Sequence, residues 1–539
     1  MKGDFSRVSF DPRNHFSQVL LQQGRVTLDA DPNEQGAILL HYLRTMARDL
    51  FGPYGGPVDD LGFVLSVDTT DATPTLIVGA GRYYVDGILC ESEGCDYIDQ
   101  PHYAPLAAEG NVAGDPLRAW LDDRGNGDRQ FWVYLDVWER HITAIEHPSI
   151  REVALGGPDT CSRMQVIWQV RALERTELES GLKRRLENID QRLSRTKDPV
   201  ERARLEAQRK RIQEGMALLE RDATQACAVP LLMLARDDLP ELAARIDPGR
   251  RLDDPCITSP ESDYRGAENH LYRVEIHQGN ANGVRPTFKW SRDNGSVATR
   301  WLAVAGDRLT VANGRDFTAG QWVELSNDED DLLGRAGPLF RIASVDADQA
   351  TLEGTPVWVV GASNPKVRRW DQVAYGDILL TAGAVPVTES SVTDPAWIDL
   401  EDGVQIRFAA DREYRSGDYW LIPARVATGR LEWPQDASGN AQWQSPRGIQ
   451  HHYAPLGFIG RADKGDGIVP RSCACTVYPL NSCGTLGARI WEQPPKGRPV
   501  TPPKPVPAPP TPAEPAAGGV TKPAVNNPTK KIAIKKPDT

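Results

Sequence analysis

Apolar positions along this chain follow two rhythms. In the first they recur every three or four residues. Ile38, Leu39, Tyr42, Leu43, Met46 and Leu50 trace such a stripe and predict a helix from Asp31 to Phe51. Asp31 suits its N-cap, Pro32 its first position and Glu34 its third. The glycines of "GPYGG" stop it. A second helical stretch fills residues 172–225. Leu178, Leu182, Leu186, Ile189 and Leu193 are spaced 4, 4, 3 and 4 apart, and Ile212, Met216 and Leu219 follow after Asp198-Pro199. These residues predict an inserted antiparallel helical hairpin and are the candidate contact residues of the chain. A lone hairpin has a thin core, so its stripe is expected to pack on another chain or on the body. A solvated spacer arm is the other reading.

The second rhythm is β. "TLIVGAGRYYVDGILCE" (75–91) reads as strands around a glycine turn, and "FWVYLDVWERHITAIE" (131–146) as a long strand. "ENHLYRVEIHQG" and "PTFKWSRDNGSVATRWL" continue the pattern, with Asp293-Asn294-Gly295-Ser296 as a turn. "DRLTVA", "QWVELSN", "LFRIASV" and "QATLEG" follow at short intervals and suggest a small barrel or sandwich. The expected fold is mainly β and multidomain, with barrel or sandwich modules, an N-terminal helix and the inserted hairpin. The linear division is an N-terminal docking segment (1–60), a β-rich domain (61–171), the hairpin (172–225), a β connecting region (226–300), a barrel or sandwich domain (301–480) and a Pro/Lys-rich flexible tail (481–539).

Charge and length refine this picture. At 539 residues the chain exceeds one ordinary core. The net charge of −12 hides an asymmetry: residues 493–539 carry eight Lys or Arg and two acids, a net of +6, which leaves −18 for residues 1–492. So acidic a body repels phosphate backbones, and nucleic acid is not an expected partner. The basic tail allows a weak, salt-sensitive contact with an envelope or membrane surface. No run of ~18 apolar residues spans a bilayer. The start "MKGDFSRVSF" lacks the apolar core of a secretion signal, so assembly in the cytoplasm is expected. The eight cysteines do not make a disulfide scaffold over this length, and free thiols are expected.

Candidate chemistry is sparse. Asp29, Asp31 and Asn33 imitate the opening of a calcium loop, but Glu34 and Leu40 stand where such a loop needs Gly and a bidentate Glu. Gly79-x-Gly81 imitates a dinucleotide fingerprint, but Tyr84 takes the third glycine position and a strand follows, so no cofactor is expected. Cys473, Cys475 and Cys483, with His451 and His452 upstream, are weak zinc candidates. Adjacent histidines on a strand point to opposite faces, which counts against them. Asp328 and Asp330 are weak calcium candidates, with an acidic surface turn as the plainer reading. No phosphate loop, HExxH or nucleophile elbow is present, so an enzyme is not expected.

Four blocks carry a resemblance: "KGDFSRVSFDPRNHFSQVLLQQGRVTLDADPNEQ", "YLDVWERHITAIEHPSIREVALGGPDT", "ENHLYRVEIHQG…TFKWSRDNGSV" and "GDYWLIPARVATGRLEWP…GIQHHYAPLGFI". Together they resemble an uncharacterised bacterial family of large proteins across most of residues 2–460. That family looks associated with phage-tail-like contractile injection systems. The resemblance implies an accessory baseplate or fibre component, oligomeric within a particle, with other particle subunits as partners, and it carries over no catalytic residue. A carbohydrate- or envelope-binding protein and an envelope-polymer hydrolase are the alternatives.

Overall fold

The computed structural model describes residues 1–70, 73–103, 115–157, 159–222, 226–236, 238–249, 263–280, 283–357, 362–373, 379–390, 396–461 and 468–478. The tail at 481–539, with Cys483, lies outside them. Within them the fold is mainly β, with six α-helices: α1 (Ala30–Phe51), α2 (Pro116–Asp122), α3 (Arg175–Arg195), α4 (Pro199–Arg221), α5 (Val229–Leu234) and α6 (Asp328–Leu333). No helix among the described residues is long and apolar enough to cross a membrane.

Strand Phe131–Ile142 is the spine of the first body. It pairs with Arg163–Glu174 on one side and His452–Arg461 on the other, and the latter pairs with Ile468–Ser472. Phe131, Val133, Leu135 and Val137 enter a core shared with Phe63, Tyr83, Trp120 and Trp168. Trp132 and Tyr134, on the opposite face, join a second core with the helices. A sheet covered on both faces needs apolar side chains at both parities, hence the unbroken run "FWVYL".

The helical hairpin supplies that second cover. Leu178, Leu182, Ile189, Ile212 and Leu219 are buried, and Leu186, Leu193 and Met216 half-buried, against Trp132, Tyr134, Phe458 and Val229 of α5. The stripe is therefore spent inside the chain. It is neither a spacer's solvated face nor a surface free for another subunit, because the sheet beneath it would otherwise expose large aromatics.

A two-sheet sandwich forms the second body. One sheet runs in the order Val385–Pro386, Thr287–Ser291, His270–Gln278, Tyr419–Arg425, Arg430–Leu431. The other centres on Val404–Ala409, paired with Leu242–Ile246. Tyr272, Phe288, Trp290, Phe408 and Trp420 fill the space between. The third body is a closed six-stranded barrel made from segments between Ala298 and Trp370. Strands His452–Arg461, Ile468–Ser472 and Thr476–Val477 do not extend the barrel. They return to the first body, where Thr476–Val477 pairs with Tyr54–Pro57, so the linear boundary at 301–480 does not follow the structure.

Two turns follow local rules. Asp86-Gly87 joins Gly81–Val85 to Ile88–Ser92 with both residues at positive φ, the geometry that a two-residue hairpin favours. Asn294 and Gly295 also adopt positive φ, in a turn that leads from the sandwich strand Thr287–Ser291 to the barrel strand Ala298–Ala305. The expectation of free thiols fails at one pair: Cys227, just before α5, is bonded to Cys473, just after strand Ile468–Ser472, closing a separation of 246 residues. Their Cα atoms lie 5.7 Å apart, within the reach of a disulfide. Cys227→Ser, or reduction of the native protein, is expected to lower unfolding free energy by about 2–5 kcal/mol, read as a lower denaturant midpoint. Equal midpoints with and without reductant would show that the bond adds nothing.

Candidate functional site

The exposed surface singles out the N-terminal segment. Of the 22 residues of α1, only Ala30 and Ile38 are buried. Leu39, Leu40, Tyr42, Leu43, Met46 and Leu50 face outward, as do Phe16, Leu20, Leu21, Val26 and Leu28 in the segment before it. Leu20 is 72% and Val26 86% exposed. Together these side chains present on the order of 1,000 Å² of apolar surface, beyond the few hundred that a monomer usually shows. Residues 16–28 form two limbs, neither helix nor strand, around a turn at Gln22–Arg25, where Gly24 adopts φ +71°. No described strand pairs with either limb.

Dedicated polar contacts hold this segment in place. The helix starts at Ala30, one residue before the expected position, and Asp31 is not its N-cap. Asp29 accepts the Ser6 N–H at 2.9 Å, Asp31 the Leu28 N–H at 3.0 Å and Glu34 the Ser9 hydroxyl at 2.5 Å. Gln35 accepts the Val19 N–H at 2.8 Å. The acids that imitate a calcium loop are thus the clasps of the arm. Farther along, Arg44 makes a bidentate pair with Glu139 at 2.8 Å, and a side chain at Gly87 would collide with the Arg44 carbonyl. One face of α1 is fixed to the body and the apolar face is left open.

A cleft of about 1260 Å³ lies between the first body, α5 and the loops at 413–418 and 446–453. His451 Nδ1 is 2.7 Å from the buried Asp136 carboxylate, and the His451 ring lies 4.8 Å from Trp138. Arg171 reaches the same carboxylate at 3.4 Å. His452 Nδ1 is 2.8 Å from Asp86. His451 precedes the strand that begins at His452, so strand alternation does not separate the two rings, and both line the cleft.

Among the described residues, the candidate metal ligands do not form a free site. Cys473 is in the disulfide, and Cys475 is an exposed thiol whose N–H donates to Tyr83. Asp330 closes a capping box with Asn327 at the start of α6 and also pairs with Arg335. Asp328 lies with Asp331 and Glu146 in a cluster of carboxylates, but two fixed cations already neutralise it. Arg140 binds Asp328 at 2.6 Å and Asp331 at 2.8 Å, while Lys366 binds Glu146 at 2.7 Å and Asp331 at 2.5 Å.

This cluster opens into a larger buried network that the sequence reading missed. Glu275 meets Arg273 at 2.6 Å, Lys2 at 3.0 Å and Lys289 at 3.3 Å. Lys289 meets Glu324 at 2.6 Å and sits over the Trp370 ring, whose N–H also donates to Glu324. The signal was present as single charges inside apolar strands: "YRVEIH", "TFKWS" and "WVELS". Buried charges of this kind require partners.

The chain belongs to a family of unknown function (DUF6519), which matches residues 1–538. Comparison with curated proteins finds no match. Among solved structures, a crystal structure of TssK aligns over 74% of this chain and 99% of that chain at 10% identity. Its TM-score of 0.14 is too low to bear on fold or function.

The network also shapes the acid response of this family member. Burial, then the nearby cations, pushes His141 down to about 3 and His277 to about 4. In the unfolded chain both take up a proton near pH 6.5. Stability that is full above pH 6.5 is therefore expected to fall as pH drops towards 4 and then 3. Burial alone would raise Glu146, but Lys366 and the Thr143 hydrogen bonds hold it at about 2, so its contribution is lost between about pH 4.5 and 2. Denaturant midpoints at pH 7.5, 5.5 and 4.5 should decline in that order, and less steeply in a His141→Gln, His277→Gln double variant. Separately, Glu324→Gln should destabilise by about 3–5 kcal/mol, because the buried Lys289 loses the nearer of its two carboxylates and keeps only Glu275 at 3.3 Å. A double change of Glu324 and Lys289 to apolar residues should recover most of the loss in a double-mutant cycle.

Proposed function

We propose that this protein is a structural subunit of a phage-tail-like contractile injection particle, associated with its baseplate or fibres, and that it works through protein contacts and not through catalysis. The observation that carries the reading is the open apolar face of α1 with its clasped arm at 16–28. Exposing so much apolar surface is unfavourable in water unless a partner covers it. The polar clasps keep the surface presented instead of letting it collapse onto the body. The block resemblance described above supplies the particle class. Other particle subunits are the partners, assembly takes place in the cytoplasm, and α1 and the arm replace the helical hairpin as the contact element.

A second reading, binding of an envelope polymer, draws on the cleft. Its size and its paired His451 and Asp136 suit a polar ligand. Retention of the protein on purified cell-wall polymer, lost in Asp136→Asn, would favour that reading.

The main test uses particles purified from cells that carry Leu39→Glu together with Leu43→Glu. Both side chains are exposed in the protomer, so the variant should fold with an unchanged circular dichroism spectrum. Its content in purified particles should fall at least tenfold. Incorporation at the parental level would overturn the reading.

A further inference from the structure

The open face of α1 has a definite pattern. Placed on a heptad, Gly36, Leu43 and Leu50 fall at a, Leu39 and Met46 at d, and Leu40 and Ala47 at e. The positions that touch the body are the others. Ile38 is at c, Arg44, which pairs with Glu139, is at b, and His41, whose ring lies 5.7 Å from Phe10, is at f. The free face therefore shows three apolar positions per heptad. A two-stranded coil needs only a and d, whereas an a, d and e face is the pattern of a helix packed against more than one neighbour.

Symmetry sets the direction: identical helices that ring one rotation axis and lie along it all run the same way. The other long amphipathic helices of the chain, α3 and α4, have already spent their stripes on the first body. The exposed apolar area, on the order of 1,000 Å² per protomer, is close to the ~800 Å² per partner of a stable interface.

From this we propose that α1 packs against the α1 helices of two further copies of this chain, parallel about a three-fold axis, with the arm at 16–28 lying on the neighbouring copy. The inference rests on reading α1 as a docking surface and adds the identity of the occupant. Gly36 has open space around its Cα, so it leaves a gap at the a layer nearest the helix start. Leu43 and Leu50 fill the next two a layers.

The test is light scattering and sedimentation of the full-length protein at micromolar concentration. A mass near three times 59.4 kDa is expected, and Leu43→Glu should return it to 59.4 kDa with an unchanged circular dichroism spectrum. Association should weaken at least a hundredfold. A monomeric parent protein, or an oligomer that survives Leu43→Glu, overturns the proposal. Direction is read from Leu50→Cys in a background with the exposed Cys161 and Cys475 changed to Ser. Parallel helices bring the new thiols together for oxidative cross-linking, whereas antiparallel helices hold them roughly 20 Å apart. Absence of the cross-link in an oligomeric sample overturns the parallel arrangement. The two readings separate cleanly. A monomeric parent whose Leu43→Glu variant is lost from particles keeps the docking surface and removes self-association. A trimeric parent whose monomeric variant still enters particles does the reverse.

Discussion

The buried ion network at Glu275, Lys289 and Glu324 is the constraint on which the arrangement of the three β bodies depends. Glu275 and Lys289 belong to the sandwich, Glu324 and Lys366 to the barrel, and Arg140 and Glu146 to the first body. Lys289 with Glu324 joins the sandwich to the barrel, and Lys366 with Glu146 joins the barrel to the first body, while Glu275 is neutralised within the sandwich and by Lys2. In a low-dielectric interior an uncompensated charge costs several kcal/mol. None of the bodies is thus electrostatically complete alone, and sliding one against another would strand charges on both sides. Apolar contacts between them could tolerate several registers; the charge pairs admit one.

The N-terminal segment works on the opposite principle. Its polar groups are satisfied within the chain, through Asp29, Asp31, Glu34 and Gln35, while its apolar groups are not. Ordinary folding buries leucines and leaves acids in water. Here the acids are used up as clasps and the leucines are displayed. A surface held open by specific bonds is pre-organised, so a partner does not have to order it on binding. That is the physical content of calling it a docking element.

Much of the fold was legible in the sequence. The spacing of Leu39, Leu43, Met46 and Leu50 gave α1 to within one residue, and Leu178 through Leu219 gave both hairpin helices, because a helical stripe is written locally. Asp293 to Ser296 gave its turn for the same reason. What periodicity could not tell was which stripe stays open. The hairpin's leucines, taken for contact residues, are covered by Trp132 and Tyr134 from a strand that is distant in sequence. The leucines of α1 share the same spacing and meet nothing. The return of strands His452–Arg461, Ile468–Ser472 and Thr476–Val477 to the first body and the Cys227–Cys473 bond are long-range facts with no local signature. The buried charges were visible as intrusions in apolar strands, but their partners lie up to 273 residues away, as for Lys2 and Glu275.

The position of the Cys227–Cys473 bond has a mechanical meaning. Residue 473 lies close to Tyr478, where the compact unit ends, and the last described strand, Thr476–Val477, is only two residues long. Tension applied from beyond residue 478 can strip that short strand, but it then meets a covalent link before it reaches Ile468–Ser472. From there the pull passes through Cys227 to the helical layer. The sheet edge is spared from unzipping one hydrogen bond at a time, and a tug on the tail is converted into a strain shared across the whole first body.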